Sequence, residues 1–140
     1  MSLPDERYRR GVEVLQRLSG DGPGQIADEI AEVAPDFARM TIEFLFGDLY
    51  SRAGLDLRTR ELAAVAALAS LGRLAHLRAH VGAALHVGCT AEEVVEILMQ
   101  TAIHAGFPPA LDALAGCHDL LVAGPRSGAP PTFPSLEGRS

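Results

Sequence analysis

From Leu62 to Leu71 the chain reads LAAVAALASL, apolar at nearly every position, and then meets Gly72. That run constrains the fold more than any other feature. Alanine and leucine favour helix and are not the residues that fit a pleated sheet, so the segment reads as helical. A bilayer needs about 20 apolar residues, so the run is far too short to cross one. A helix that is apolar all round belongs inside a protein, and this one is expected to be the buried central element of an all-α fold. Its alanines also permit close backbone approach, which suits a subunit contact.

The flanking sequence supplies further helices. Asp56 is placed to cap the central one, predicting a helix over Leu57–Leu71. Tyr8, Val12, Leu15 and Leu18 recur at helical spacing within a first helix, Asp5–Leu18, which SGDGPG (19–24) interrupts. A short helix over Gln25–Val33 follows. Pro35 is suited to open the next, which runs to about Tyr50 with Phe37, Met40, Phe44 and Leu45 expected inward. After Gly72 a helix is expected from about Leu74 to Val87, with Gly88 just past its end. Thr90 and Glu93 form a capping-box pair that opens Ala91–Ala105, and Pro108 and Pro109 begin a last helix reaching about Ala123.

The chain's 140 residues fit one domain, and a hydrophobic content of 48% excludes disorder for its body. Aromatic residues make up only 5%, with no Trp, which again favours helices over sheet. The expectation is a single-domain, all-α bundle of about six helices over residues 1–123. A Gly/Pro-rich flexible tail, GPRSGAPPTFPSLEGRS, occupies 124–140.

Several function classes fall away. A net charge of −6 lacks the basic face that nucleic acid demands. No segment is long enough to enter a membrane, and Met1–Arg10 has no apolar signal core, so a cytoplasmic location is expected. Cys89 and Cys117 stand 28 residues apart with no CxxC spacing, and read as small apolar fillers.

The polar residues of the middle third then need a reason. His76 and His80 lie four apart and share one helix face, among Leu77, Val81, Ala84 and Leu85. Arg73 sits near the same stripe. Glu61 lies 19 residues before His80 on the preceding helix, and an antiparallel hairpin pivoting at Gly72 brings the two regions together only if its geometry cooperates. His104 closes the helix that follows. Each has a structural reading: hydrogen-bonded half-buried histidines, a first-turn carboxylate favoured by the helix dipole, solvated arginines at 58 and 60. Two imidazoles on one face beside an arginine nevertheless cost desolvation unless something uses them. HxxxH on a helix also offers two metal ligands, with Glu61 or His104 as a third, but Leu77 stands where the metalloprotease motif needs Glu. A site without metal is the favoured reading.

FGDLYSRAGLDLRTRELA (46–63), LGRLAHLRAHVGAALHVGCTAEEVVEIL (71–98) and QTAIHAGFPPALDA (100–113) resemble the carboxymuconolactone decarboxylase family, within the wider alkylhydroperoxidase D-like fold. ERYRRGVEVL (6–15) looks like the opening of the decarboxylase branch. The resemblance implies an all-α subunit in a ring-like homo-oligomer, a trimer or hexamer, needing no cofactor. The family's peroxidase branch carries Glu, then CxxC, then His. Glu61 and His80 fall at the Glu and His positions, while Arg73 and His76 occupy the cysteine positions. Without those thiols, peroxidase chemistry is not expected. Arg58, Arg60, Gly72, Arg73, Arg78 and His80 match the decarboxylase branch. Glu61 and His76 depart from it, standing where a small hydroxyl residue and an acid are common.

The resemblance thus implies a lyase acting on a small anionic lactone or enolisable acid. His80, Glu61 and His76 are the catalytic candidates, and Arg73, Arg58 and His104 the substrate-binding ones. The alternatives are a cyclisation or isomerisation on the same scaffold, or a non-catalytic oligomer that binds a small molecule.

Overall fold

A computed structural model describes residues 3–125 apart from positions 21, 23 and 25, so all of the expected tail beyond Pro125 lies outside the described residues. Helix α1 spans Leu3–Ser19. A π-helical turn, Ile26–Ile30, continues into one α-turn, Ala31–Val33, and together they form α2. Helix α3 begins as Pro35–Met40 and widens into a π-helix, Thr41–Leu49. The remaining helices are α4 (Leu57–Leu71), α5 (Leu74–His86), α6 (Ala91–Ala105), α7 (Phe107–Gly116) and α8 (His118–Ala123). No strand occurs among the described residues. The expected last helix is in fact two, broken at Cys117.

The local signals work as their chemistry dictates. The Asp56 carboxylate accepts the Thr59 N–H at 2.8 Å and fixes the start of α4. Gly72 ends α4 at φ 68°, a left-handed conformation that costs glycine nothing. The Thr90–Glu93 capping box is reciprocal: the Glu93 N–H donates to Thr90 Oγ1 at 3.2 Å, and the Thr90 N–H donates to Glu93 Oε1 at 3.1 Å. The Ala91 N–H donates to the Pro125 carbonyl at 2.8 Å, tying the chain after α8 back to the start of α6.

Two apolar clusters result. One joins α4 to α8 around Val65, Leu77, Val81, Val94 and Leu98, with Cys89 and Cys117 fully buried inside it. The other joins α1, α3 and the start of α4 through Val14, Leu18, Ile42, Phe46 and Leu57. Helix α4 belongs to both, but it is less enclosed than expected. Only the i, i+4 stripe Leu57, Glu61, Val65 and Ala69 is buried within this chain, and Leu71 is exposed.

Helix α3 corrects the sequence reading more sharply. Phe37, Met40 and Phe44, expected inward, are 65%, 59% and 62% exposed, while Ala38, Ile42, Phe46 and Gly47 face the core. The reason lies in the crossing with α1. A methyl group on Gly11 would collide with the Ile42 carbonyl, and one on Gly47 with the Arg7 carbonyl. The two backbones therefore touch through glycines, and closeness of approach, not side-chain size, selects the inner face. Arg7 seals the crossing, donating to Asp48 through Nε and Nη2 at 2.7–3.1 Å, and its guanidinium holds the Asp48 carboxyl below its ordinary value.

Candidate active site

Helices α4 and α5 fold back on one another around Gly72, and this places Glu61 against His80. The contact is short, 2.7 Å between Glu61 Oε2 and His80 Nδ1. With the carboxylate ionised it can only accept, so the hydrogen lies on Nδ1 and the ring's Nε2 is left free for other chemistry. The two partners differ in environment. Glu61 has no solvent exposure, whereas the His80 side chain keeps 23%. Glu61 Oε1 is buried with no hydrogen-bond partner of strict geometry. A carboxylate tucked behind a partly open imidazole fixes the ring and its tautomer while the imidazole meets whatever arrives from outside.

Tyr50 approaches Glu61 from α3. Burial pushes its phenol well above the ordinary value, and the charge and hydrogen bonding of Glu61 add to the rise. Its ring stacks on Phe46 at 5.3 Å, and the Arg60 guanidinium stands 5.8 Å from the ring centre on α4. In the sequence Tyr50 reads as no more than the end of a helix, and its hydroxyl-bearing ring next to the apolar Phe44–Phe46 run is the one available signal.

The other sequence candidates do not converge on this pair. His76 is exposed one turn before His80 and makes no hydrogen bond or ion pair among the described residues. Arg73 is the exposed N-cap of α5, two turns from His80, and lines a cleft of about 530 Å³ between the α4–α5 corner and α7. Arg58 pairs closely with Glu93 and so ties α4 to the capping box of α6. His104 is exposed in the last turn of α6 and does not line that cleft. Each of these side chains answers to its own helix end, which spacing along the sequence does not reveal. No group of three or more His, Cys, Asp or Glu among the described residues is arranged to hold a metal ion.

The profile of the carboxymuconolactone decarboxylase family matches residues 35–117, from the start of α3 to the end of α7. The chain belongs to the carboxymuconolactone decarboxylase family. It is 31% identical over 105 residues to 4-carboxymuconolactone decarboxylase of Acinetobacter baylyi, an alignment covering 74% of this chain and 78% of that protein. It is also 34% identical over 85 residues to an uncharacterised 15.0 kDa protein from the nqo9-nqo10 intergenic region of Paracoccus denitrificans, covering 59% of this chain and 63% of that protein. Within this decarboxylase family match lie Tyr50, Glu61, His76 and His80, so the buried acid and its imidazole fall inside the shared region. Among the described residues no helix is long and apolar enough to cross a membrane.

Proposed function

We propose that this family member is a carboxy-lyase that decarboxylates a small anionic lactone or enolisable acid without a cofactor. The observation that carries the reading is the 2.7 Å contact between fully buried Glu61 and partly open His80. Family membership and the likeness to 4-carboxymuconolactone decarboxylase support it.

In this reaction the bond between the carboxylate carbon and its neighbour breaks and CO₂ leaves. The released electron pair moves through the adjoining double bond to the lactone carbonyl oxygen, giving an enolate. A proton then adds to carbon. His80 is the group that delivers it through Nε2, and a general acid of this kind contributes about 10²–10⁴-fold. Glu61 orients the ring and balances the imidazolium. His76, on the same face one turn earlier, is a second donor for the enolate oxygen, and Arg73 adds positive charge along that face. Arg58 drops out of this scheme because Glu93 already holds it.

A thiol mechanism has no support here, since Cys89 and Cys117 are fully buried and burial pushes both thiols above their ordinary value. The reading includes assembly with further copies of the same chain. Phe37, Met40 and Phe44 leave large apolar side chains exposed on α3, the kind of surface that a second copy covers.

The test is CO₂ release from γ-carboxymuconolactone by the purified chain and by His80→Ala. Turnover by the parent and a loss of about 10²-fold or more in the variant is expected. Equal turnover by an equally assembled His80→Ala protein removes the imidazole from the mechanism.

A further inference from the structure

The reaction as described leaves the half-buried phenol of Tyr50 without a task, although its place is closely fixed. Helix α3 ends in wide turns, and the Tyr50 N–H donates to the Leu45 carbonyl at 2.9 Å, five residues back. A regular helix makes this bond four residues back, so the extra residue re-aims the side chain by roughly 100°. The ring stacks on buried Phe46 with the two planes 10° apart. The Arg60 guanidinium stands beside the ring and is itself tied to the Arg52 carbonyl, to which Nη2 donates at 3.2 Å. Tyr50 also forms part of the wall of a cleft of about 450 Å³ between α1 and the turn leading into α4.

The hydroxyl of this ring meets Glu61. That carboxylate has no solvent exposure, so both of its oxygens depend on protein groups. Oε2 is taken by His80 Nδ1, while Oε1 is buried with no partner of strict geometry. The other charged or titratable groups around the pair are committed elsewhere. Arg60, next in sequence on α4, is turned to the Tyr50 ring and the Arg52 carbonyl. Cys89, before α6, directs its thiol at the Arg58 carbonyl at 3.9 Å, and burial raises that thiol so that it carries no charge. His76 is exposed one turn before His80. A phenol is a far weaker acid than a carboxyl, so the shared hydrogen stays on Tyr50 and the bond favours ionised Glu61.

We propose that Tyr50 is a positioning residue of this site, whose hydroxyl donates to the Glu61 oxygen that His80 leaves open and so holds the buried carboxylate with its other oxygen turned to His80 Nδ1. The phenol acts through Glu61 and touches no reacting atom. It keeps a negative charge behind the imidazole, which fixes the Nδ1–H tautomer and leaves Nε2 to deliver the proton. The same bond draws charge away from the carboxylate and limits how strongly Glu61 holds the imidazolium. Removing the hydroxyl makes the Glu61–His80 pair a stronger base, which takes up its proton at higher pH. The part of Tyr50 in catalysis rests on the Glu61–His80 reading, and its hold on the carboxylate does not.

Tyr50→Phe keeps the stacked ring and removes only the hydroxyl. Magnetic resonance titration of the His80 imidazole in the full chain, assigned by its absence from His80→Ala, reads the pair without substrate. The midpoint is expected to rise by about one unit, the tenfold that a hydrogen bond to a charged group is worth. In a Glu61→Gln background the same substitution is expected to leave the midpoint in place, because the group through which Tyr50 acts is gone. Tyr8→Phe removes the chain's other phenol and is expected to titrate as the parent does. Fluorotyrosine in place of both tyrosines, a stronger donor of nearly the same shape, is expected to lower the midpoint and serves if Tyr50→Phe fails to fold. With γ-carboxymuconolactone, Tyr50→Phe is expected to lower kcat about tenfold at unchanged KM. An unmoved midpoint in folded Tyr50→Phe or in the fluorotyrosine protein, an equal rise in Tyr8→Phe, or a rise that persists beside Glu61→Gln overturns the assignment. If the midpoints move as stated but the parent shows no turnover, the decarboxylase reading fails and the Tyr50 contact stands. If His80→Ala abolishes turnover while Tyr50→Phe keeps the parental midpoint, the role of Tyr50 alone fails.

Discussion

Removing either member of the Glu61–His80 pair should have very different consequences for stability. Glu61 has no exposure and His80 Nδ1 is the partner at 2.7 Å, while Oε1 has none of strict geometry. His80→Ala therefore leaves a carboxylate in the core with only the Tyr50 phenol beside it among the groups described. Breaking a buried pair in this way costs about 3–5 kcal/mol. Because the imidazole is 23% exposed, water can enter the vacated space, which places the loss at the low end, about 3 kcal/mol. For a domain of this size that corresponds to a fall of about 10 °C in Tm. Glu61→Leu removes the buried charge instead and leaves His80 an edge that water can reach. Replacing buried charge by apolar volume is about neutral or stabilising. The double variant, Glu61→Leu with His80→Ala, should recover most of what His80→Ala loses, for a coupling energy of about 3 kcal/mol. Urea and thermal unfolding of the four proteins, at one fixed protein concentration, reads this cycle directly. A His80→Ala protein as stable as its parent, or a double variant no better than His80→Ala, refutes the account of Glu61 as a charge that the Tyr50 hydroxyl cannot make tolerable without the imidazole.

Three further outcomes follow from other parts of the molecule. Arg78 grips Asp119 with two hydrogen bonds, at 2.7 and 3.0 Å, and holds its carboxyl down at about 2. A depressed acid adds stability that is complete above its unfolded value and disappears as pH falls through the folded one, so this contribution should vanish between about pH 4 and pH 2. Asp119→Asn should flatten the acid limb of a Tm–pH profile in that window, and an unchanged limb refutes the assignment. Phe37→Glu combined with Phe44→Glu places charge on the exposed α3 stripe; sedimentation velocity should show a smaller species with unchanged helicity, and an unchanged mass removes that stripe from the interface. Gly47→Ala should lower Tm by roughly 5–10 °C, from about 1–3 kcal/mol of overpacking at the α1–α3 crossing. Because the chain has two Tyr and no Trp, its near-ultraviolet dichroism should also report the displacement of Tyr50. A parental Tm with unchanged tyrosine dichroism shows that the crossing tolerates a methyl group.

Much of the α4–α6 region was legible from local sequence because its determinants are local. Asp56, Gly72 and the Thr90–Glu93 pair act within a turn or two of themselves, and they set the ends of α4 and the start of α6 where expected. The Glu61–His80 pairing was legible for a related reason. A tight hairpin converts sequence distance from Gly72 into spatial register, and the two residues lie at comparable distances on either side. Phe37, Met40 and Phe44 misled because a 3.6-residue apolar stripe identifies a face that wants cover without saying what covers it. The placement of Tyr50 against Glu61 was not legible. It depends on α1 crossing α3, through contacts between residues 31 and 40 positions apart that rest on Gly11 and Gly47. Neither glycine carries a side chain that would announce the crossing.

The residues that break local rules gather around one place. Gly11 and Gly47 sit within helices, where each costs about 0.5–1 kcal/mol relative to alanine. Thr41–Leu49 adopts a π-helix, a form that is rare and frequently found at functional sites. Glu61 interrupts a buried stripe whose other members are Leu57, Val65 and Ala69, the residues that face uses where packing alone matters. Glu61 could give way to an apolar residue that packs better, whereas a methyl group at either glycine would strike the facing carbonyl. All of them bear on the position of Tyr50 and its two neighbours, Glu61 and the cleft beside α1. The glycines let α1 and α3 touch, the wide turns bring α3 to its end at Leu49, and Tyr50 follows directly, next to the one ionisable group of the α4 core stripe. The glycines serve the α1–α3 packing, but a buried acid with its imidazole, set in a stripe that is otherwise Leu57, Val65 and Ala69, is not a packing device. The acid and its imidazole are the expected mark of a site whose chemistry sets terms that the fold then meets.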